Sequence, residues 1–274
     1  MKAVFRVLCF ALCALLALTP IPLSSAPASL HDSLSAESAL LMDGEGRVLF
    51  SKNSQRRMGM ASTTKIMTAL IVAERLPLDS VIPIPEEAVN TEGSSVYLSA
   101  GELLSAEQLL CALLLSSAND AAVALAIASA GSVAGFAALM NAKAAELGLV
   151  DTHFVNPHGL YHEDHYTTID DLVRLCEVVL TEPAILKYTG MAVDSVKLED
   201  RELEWMNTNA LLHDDAALYQ SNTIGLKTGY TEKAGNCLIS AFFMEDRILL
   251  IGVFGCPAFS EDRYLDTIAI YNSL

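Results

Sequence analysis

Apolar residues fall in blocks along this chain, and the spacing inside each block predicts an order of elements. Ser38-Ala39-Leu40-Leu41-Met42 and Val48-Leu49-Phe50 flank Asp43-Gly44-Glu45-Gly46, the composition of a β-hairpin. Ala61 to Arg75 carries Ile66, Met67, Leu70, Ile71 and Ala73 with no Gly or Pro, which predicts a mostly buried helix beginning close to Ser62. Pro77 to Pro85 breaks that pattern. Further helices are predicted at Ser105–Leu115, Ala121–Ala130, Phe136–Leu147 (ended by Gly148) and Ile169–Leu180, the last preceded by Thr167 and Thr168 as cap residues. The last third changes character. Gly225–Tyr230, Cys237–Met244 and Ile248–Phe254 read as strands, the last two joined by a tight Glu245-Asp246-Arg247 turn, and Glu261–Leu274 reads as a closing helix. Strands at both ends with helices between predict an α+β fold, one antiparallel sheet built from both ends of the chain with an inserted helical lobe.

The first residues stand apart. Lys2 and Arg6 precede the apolar run Val7 to Leu18, Thr19-Pro20-Ile21-Pro22 breaks it, and small residues follow up to Ala26-Pro27-Ala28. This is the layout of a secretory signal over residues 1–28, and the run is short for a spanning helix. Residues 29–36 lack a period and read as a leader, leaving 37–274 as one folded domain. Export would place the protein outside the cytoplasm, with membrane contact only through the N-terminal segment if it stays uncleaved.

Charge narrows the partners. The formal net charge is −16, and loss of residues 1–28 with Lys2 and Arg6 takes it to −18. So acidic a chain would repel nucleic-acid phosphates. Cys111, Cys176 and Cys237 sit in apolar settings, and with Cys256 they are read as buried free thiols. His153, His158, His162 and His165 crowd one stretch, but Asn156-Pro157 and Gly159 interrupt it and no H-E-x-x-H is present. It reads as a structured loop with no metal.

Three polar clusters interrupt the apolar blocks: Ser62-Thr63-Thr64-Lys65, Ser117-Ala118-Asn119 and Lys227-Thr228-Gly229. Each alone has an ordinary explanation. Ser62 would cap a helix, Asn119 or Asp120 would cap the next, and Lys227 would be a solvated lysine before a turn glycine. Together, in this order, they supply what an acyl-transfer serine needs. Ser62 and Lys65 are three apart, on one helical face. A serine is a weak nucleophile without a base. Lys65 can serve if burial and a second cation, Lys227, lower its pKa. Ser117 would carry the proton to the leaving amine and Asn119 would orient substrate and lysine. Lys227 and Thr228, on a strand edge able to pair with an extended peptide, would hold the substrate's carboxylate side. The backbone N–H groups of Ser62 and Tyr230, beside Gly229, would form an oxyanion hole.

These clusters resemble the S-x-x-K, S-x-N and K-T-G set of the serine acyltransferases that act on penicillin. The wording around them is similar to the low-molecular-mass penicillin-binding proteins, the exported D-alanyl-D-alanine carboxypeptidases. Ala61–Thr68, Ser117–Ala122 and Gly225–Thr231 with Ala234-Gly235 carry the resemblance. So do Phe154–Leu160, His165–Thr168, Asp170–Leu172 and Asn207–Asn209 with Leu211-Leu212. It spans roughly residues 36–274. It implies a β-lactamase/transpeptidase-like fold and cofactor-free removal of the terminal D-alanine from peptidoglycan stem peptides, through an acyl-enzyme on Ser62. It also implies acylation by β-lactams. An arginine late in the chain helps bind the substrate carboxylate in this family, and Arg263 is the matching residue. Many relatives continue into a β-rich domain and an amphipathic anchor, whereas this sequence ends at Leu274, so neither is expected here.

Two other readings compete. A class A β-lactamase shares the clusters but needs a glutamate in a Glu-x-x-Leu-Asn setting, and Leu203-Glu204-Trp205-Met206-Asn207 has leucine where that glutamate would stand. A catalytically inactive cell-wall binding protein of the same fold would have no chemical use for the Ser–Lys pair.

Overall fold

The computed structural model describes residues 28–197 and 201–274. The segment read as an export signal lies, but for Ala28, outside them. In chain order the elements are α1 (Ala28–Ser33), β1 (Ser38–Asp43), β2 (Val48–Lys52), a 3-10 turn (Ala61–Thr64) running into α2 (Lys65–Arg75), β3 (Val81–Pro83), β4 (Leu103–Ser105), α3 (Ala106–Leu114), α4 (Asn119–Ala130), α5 (Val133–Glu146), α6 (Ile169–Val179), α7 (Pro183–Thr189), β5 (Val193–Lys197), β6 (Glu202–Met206), β7 (Thr223–Thr231), β8 (Gly235–Met244), β9 (Arg247–Cys256) and α8 (Asp262–Tyr271).

Five strands form one antiparallel sheet in the order β2-β1-β9-β8-β7. The first strands thus pair with the last, as the sequence predicts, and β7 occupies an edge. Turn chemistry fixes the register. Met244 pairs with Arg247 around Glu245 and Asp246, both at positive φ, the two-residue turn whose twist matches a hairpin. Side chains alternate across the sheet. Leu238, Phe242, Leu249, Ile251 and Val253 pack on one face, with Tyr264 and Ile270 of α8. Ile239, Ala241, Leu250 and Phe254 face the larger core with α2 to α6.

The leader behaves differently from expectation. Residues 28–33 form α1, and Leu30, Leu34 and Ala36 are buried in the α8-side cluster. Asp266 of α8 accepts the Ala36 N–H at 2.7 Å. Two apolar residues in so short a helix are too few to show a period, which is why the sequence hides it.

In the helical lobe, Ser105 and Gln108 close a capping box on α3, and the Thr168 side chain caps α6. α4 is buried along most of its length, so it carries no polar stripe. α7 and the β5–β6 hairpin were not expected. All four described cysteines are buried free thiols, as predicted, with burial pushing Cys237 up to about 12. Among the described residues no single helix is long and apolar enough to cross a membrane.

Candidate active site

Ser62 lies in the 3-10 turn that leads into α2, the geometry in which residues three apart eclipse. Its side chain is not a cap. No side-chain cap bond exists at either helical start. Instead Lys65 Nζ lies 2.8 Å from Ser62 Oγ, 2.7 Å from Asn119 Oδ1 and 2.7 Å from the His158 carbonyl. Lys65 is fully buried. Burial and the nearby Lys227 push its pKa well below the ordinary lysine value, with Asp120 opposing them.

The partners of Lys65 decide where its lone pair points. The amide of Asn119 is oriented by Nδ2, which donates to the Glu92 carbonyl at 2.6 Å, so Oδ1 must face the lysine. Oδ1 and the His158 carbonyl can only accept. A neutral amine spends its two N–H groups on them and turns its lone pair to the third partner, the Ser62 hydroxyl. No carboxylate is among the three partners.

Two loops hold this arrangement. The 92–98 loop is tied to α4 through Asn119 and Asp120. Asp120 accepts from Ser95 Oγ (2.6 Å), Leu98 N (3.1 Å) and Val96 N (3.2 Å). On the other side, the histidine-rich stretch forms a structured loop and its imidazoles part company. His165 Nε2 meets Thr64 Oγ1 at 2.8 Å while Nδ1 accepts from Val155 N. The Nδ1 atoms of His153 and His162 bind the Asp164 backbone. Burial pushes His158 and His165 down to about 3, so both are neutral. Among the described residues no cluster of three metal-ligating side chains forms.

Ser117 sits at φ 57, a left-handed backbone unusual for serine. Its buried Oγ makes no hydrogen bond among the described residues. Strain and an unpaired polar group in one residue are features that concentrate at functional sites.

On β7, Lys227 is buried, and among the described residues it donates over long distances, to Thr228 O (3.3 Å) and Thr208 Oγ1 (3.4 Å). Burial first, then Arg263, push its pKa down to about 7. Thr228 Oγ1 meets Thr208 Oγ1 at 2.5 Å. Gly229 packs against the turn that carries Ser62, where a Cβ would lie 2.9 Å from Ser62 N. Arg263 Nη1 bonds Asn236 Oδ1 at 2.9 Å and reaches the Gly229 carbonyl at 3.4 Å. Tyr230 follows, 40% exposed.

The structure therefore brings Ser62, Lys65 and Asn119 into one hydrogen-bonded group, sets Gly229 against it, and gathers Lys227, Thr228 and Arg263 around the same strand. Ser117 lies two residues before Asn119. Thr208, outside the three motifs, joins the same cluster. Its N–H bonds Leu115 O, its carbonyl accepts from Tyr264 Oη, and its hydroxyl bridges Lys227 and Thr228. The Asn207-Thr208-Asn209 run was its only signal.

Comparison with known proteins gives this geometry its class. Residues 24–257 match the family model described as Peptidase_S11, D-alanyl-D-alanine carboxypeptidase. The chain belongs to this family. It is 35% identical over 233 residues to the D-alanyl-D-alanine carboxypeptidase DacF of Bacillus subtilis, covering 82% of this chain and 59% of that protein. To a D-alanyl-D-alanine endopeptidase of Pseudomonas aeruginosa it is 34% identical, covering 81% of this chain and 71% of the relative. The fold superimposes on the Streptomyces K15 DD-transpeptidase with a TM-score of 0.81 at 29% identity, covering 88% of this chain and 97% of that one. It matches the carboxypeptidase DacD of Francisella tularensis at 0.80 and 29%, covering 88% and 70%. The chain thus spans about three fifths of the length of DacF.

Proposed function

We propose that this protein is an exported serine D-alanyl-D-alanine carboxypeptidase that trims peptidoglycan stem peptides. One observation carries the reading: a buried lysine amine whose other two partners are obligate acceptors lies 2.8 Å from a serine hydroxyl. Lys65 takes the Ser62 proton as Oγ attacks the carbonyl of the penultimate D-alanine. The N–H groups of Ser62 and Tyr230 hold the oxyanion, which the close approach of Gly229 to Ser62 N supports. Ser117 passes a proton to the departing amine, the terminal D-alanine leaves, and water cleaves the acyl-enzyme. Protonated Lys227, Thr228 and Arg263 bind the terminal carboxylate. β-Lactams enter as mimics of this substrate and acylate Ser62. The signal-like layout of residues 1–28 supports action outside the cytoplasm.

The β-lactamase reading is weaker on two counts. Among the described residues no carboxylate hydrogen-bonds Lys65, and Leu203 lies inside strand β6, cross-paired with Val196. Intact-protein mass spectrometry after benzylpenicillin, together with D-alanine release from an acylated L-Lys-D-Ala-D-Ala peptide, tests the proposal. A Ser62 adduct, D-alanine release and loss of both in Ser62→Ala are expected. Rapid penicillin hydrolysis without peptide cleavage would overturn it.

A further inference from the structure

Phe259 is the most exposed large apolar side chain in the described structure, at 100%. Its backbone is also in the left-handed region, φ 56, a conformation that a bulky side chain rarely adopts. Both features disfavour phenylalanine here. Neither is repaid by packing in the core.

The loop that presents it is fastened. Asn236, buried on β8 and paired across from Tyr230, donates from Nδ2 to the Pro257 carbonyl at 2.6 Å and accepts the Arg263 guanidinium on Oδ1 at 2.9 Å. Ser260 Oγ also donates to Pro257 O at 2.9 Å. One amide therefore fixes the 257–260 loop relative to the arginine. The Phe259 ring lies beside that of Tyr230, centroids 6.3 Å apart and tilted 51°. The fully exposed Phe259 ring and the partly exposed Tyr230 ring together present an apolar surface beyond the end of the K-T-G motif.

The direction of the substrate on β7 says what meets that surface. The carboxylate end sits by Lys227 and Thr228, and the scissile carbonyl sits where Gly229 approaches Ser62. A chain paired along this edge therefore runs antiparallel to β7, and its acyl portion passes Tyr230. We propose that Phe259 and Tyr230 form a shelf for the side chain of the residue preceding the D-alanine pair, favouring a long aliphatic chain there. This deepens the carboxypeptidase reading and rests on it. An unbranched chain of several methylenes can lie along two rings, whereas a methyl group cannot reach them.

The test uses acylated X-D-Ala-D-Ala peptides with X as L-alanine, L-norleucine or L-lysine. The wild-type protein is expected to favour norleucine and lysine over alanine by about tenfold in kcat/KM, mostly through KM, the scale of a few partly buried methylenes. Phe259→Asn removes the ring with a residue that tolerates left-handed backbone. It should bring the three peptides to within about twofold of one another while the melting temperature holds or rises. Phe259→Leu should keep most of the preference. Equal rates on all three peptides in the wild type, or an equal loss on all three in Phe259→Asn, overturns the shelf. Absence of D-alanine release from every peptide, with no penicillin adduct, instead overturns the carboxypeptidase reading itself.

Discussion

Gly159 lies so close to Ala61 that a Cβ on it would stand 1.8 Å from the Ala61 carbonyl oxygen. The histidine-rich loop therefore braces the backbone immediately before Ser62, and the adjoining His158 carbonyl holds Lys65. Ala61 itself is at φ 46 and Gly159 at φ 93. The turn that presents Ser62 is held in a left-handed conformation by a neighbour that only glycine can supply.

Gly159→Ala should accordingly be severely destabilised, by about 3 kcal/mol or more, since overpacking and left-handed strain add at one site. Chemical denaturation reads the loss, and penicillin acylation should fall with it. A variant with wild-type stability would show that the loop is free to retreat and braces nothing.

Lys227 carries a pH signature. Its folded-state pKa, pushed down to about 7 from 10.5, lies below its unfolded value. Between those values the unfolded chain binds more protons, so this group makes stability rise with pH, and its full cost is felt below about pH 7. Lys227→Met should therefore stabilise the protein by a few kcal/mol at pH 6 and by progressively less toward pH 10, while abolishing carboxylate binding. On the proposed mechanism the protonated form binds the carboxylate, so kcat/KM should decline above about pH 7. Lys227→Arg keeps the charge and does not titrate in this range, so the alkaline decline should vanish from its profile. An unchanged decline would assign that limb to another group.

The sequence and the fold agree where local chemistry is self-sufficient. The Asp43-Gly44-Glu45-Gly46 and Glu245-Asp246 turns, the capped start of α6 and the alternating β8–β9 pair are all legible because each is specified within a few neighbouring residues. The three motifs are likewise each written within a few neighbouring residues, and the structure brings Ser62, Lys65 and Asn119 of the first two together. What was hidden depends on distant contacts. The His158 carbonyl and Gly159 act through backbone, which no side-chain pattern encodes, and Thr208 acquires its place only when Leu115, Thr228 and Tyr264 converge on it. α1 is stabilised by α8 across the whole chain length, so residues 29–36 look featureless until the sheet is assembled.

Asp120 links the second motif to the loop over it, and its charge works against the depression of the Lys65 pKa. Asp120→Asn keeps the shape but turns an amide toward N–H donors, at a cost of about 1.5–3 kcal/mol. With the negative charge gone, the Lys65 pKa should fall further. The acid limb of kcat/KM would then move to lower pH. A shift to higher pH would mean that the loop, rather than the charge, sets the environment of the lysine.

If Ser62 and Lys65 act as one chemical unit, removing either should forfeit the same step. Ser62→Ala and Lys65→Met are each expected to lower the acylation rate by at least about 10³-fold. The double variant should be no worse than the poorer single. This follows because without the hydroxyl there is nothing for the amine to deprotonate, and without the base the hydroxyl is an ordinary alcohol. Lys65→Met also removes a buried amine whose charged form burial opposes, so it should not unfold the protein. Stopped-flow acylation by a chromogenic β-lactam, alongside melting temperatures for all three variants, separates lost chemistry from lost structure. Losses that multiply in the double variant would mean that the two residues contribute independently, and the base assigned to Ser62 would have to be sought elsewhere.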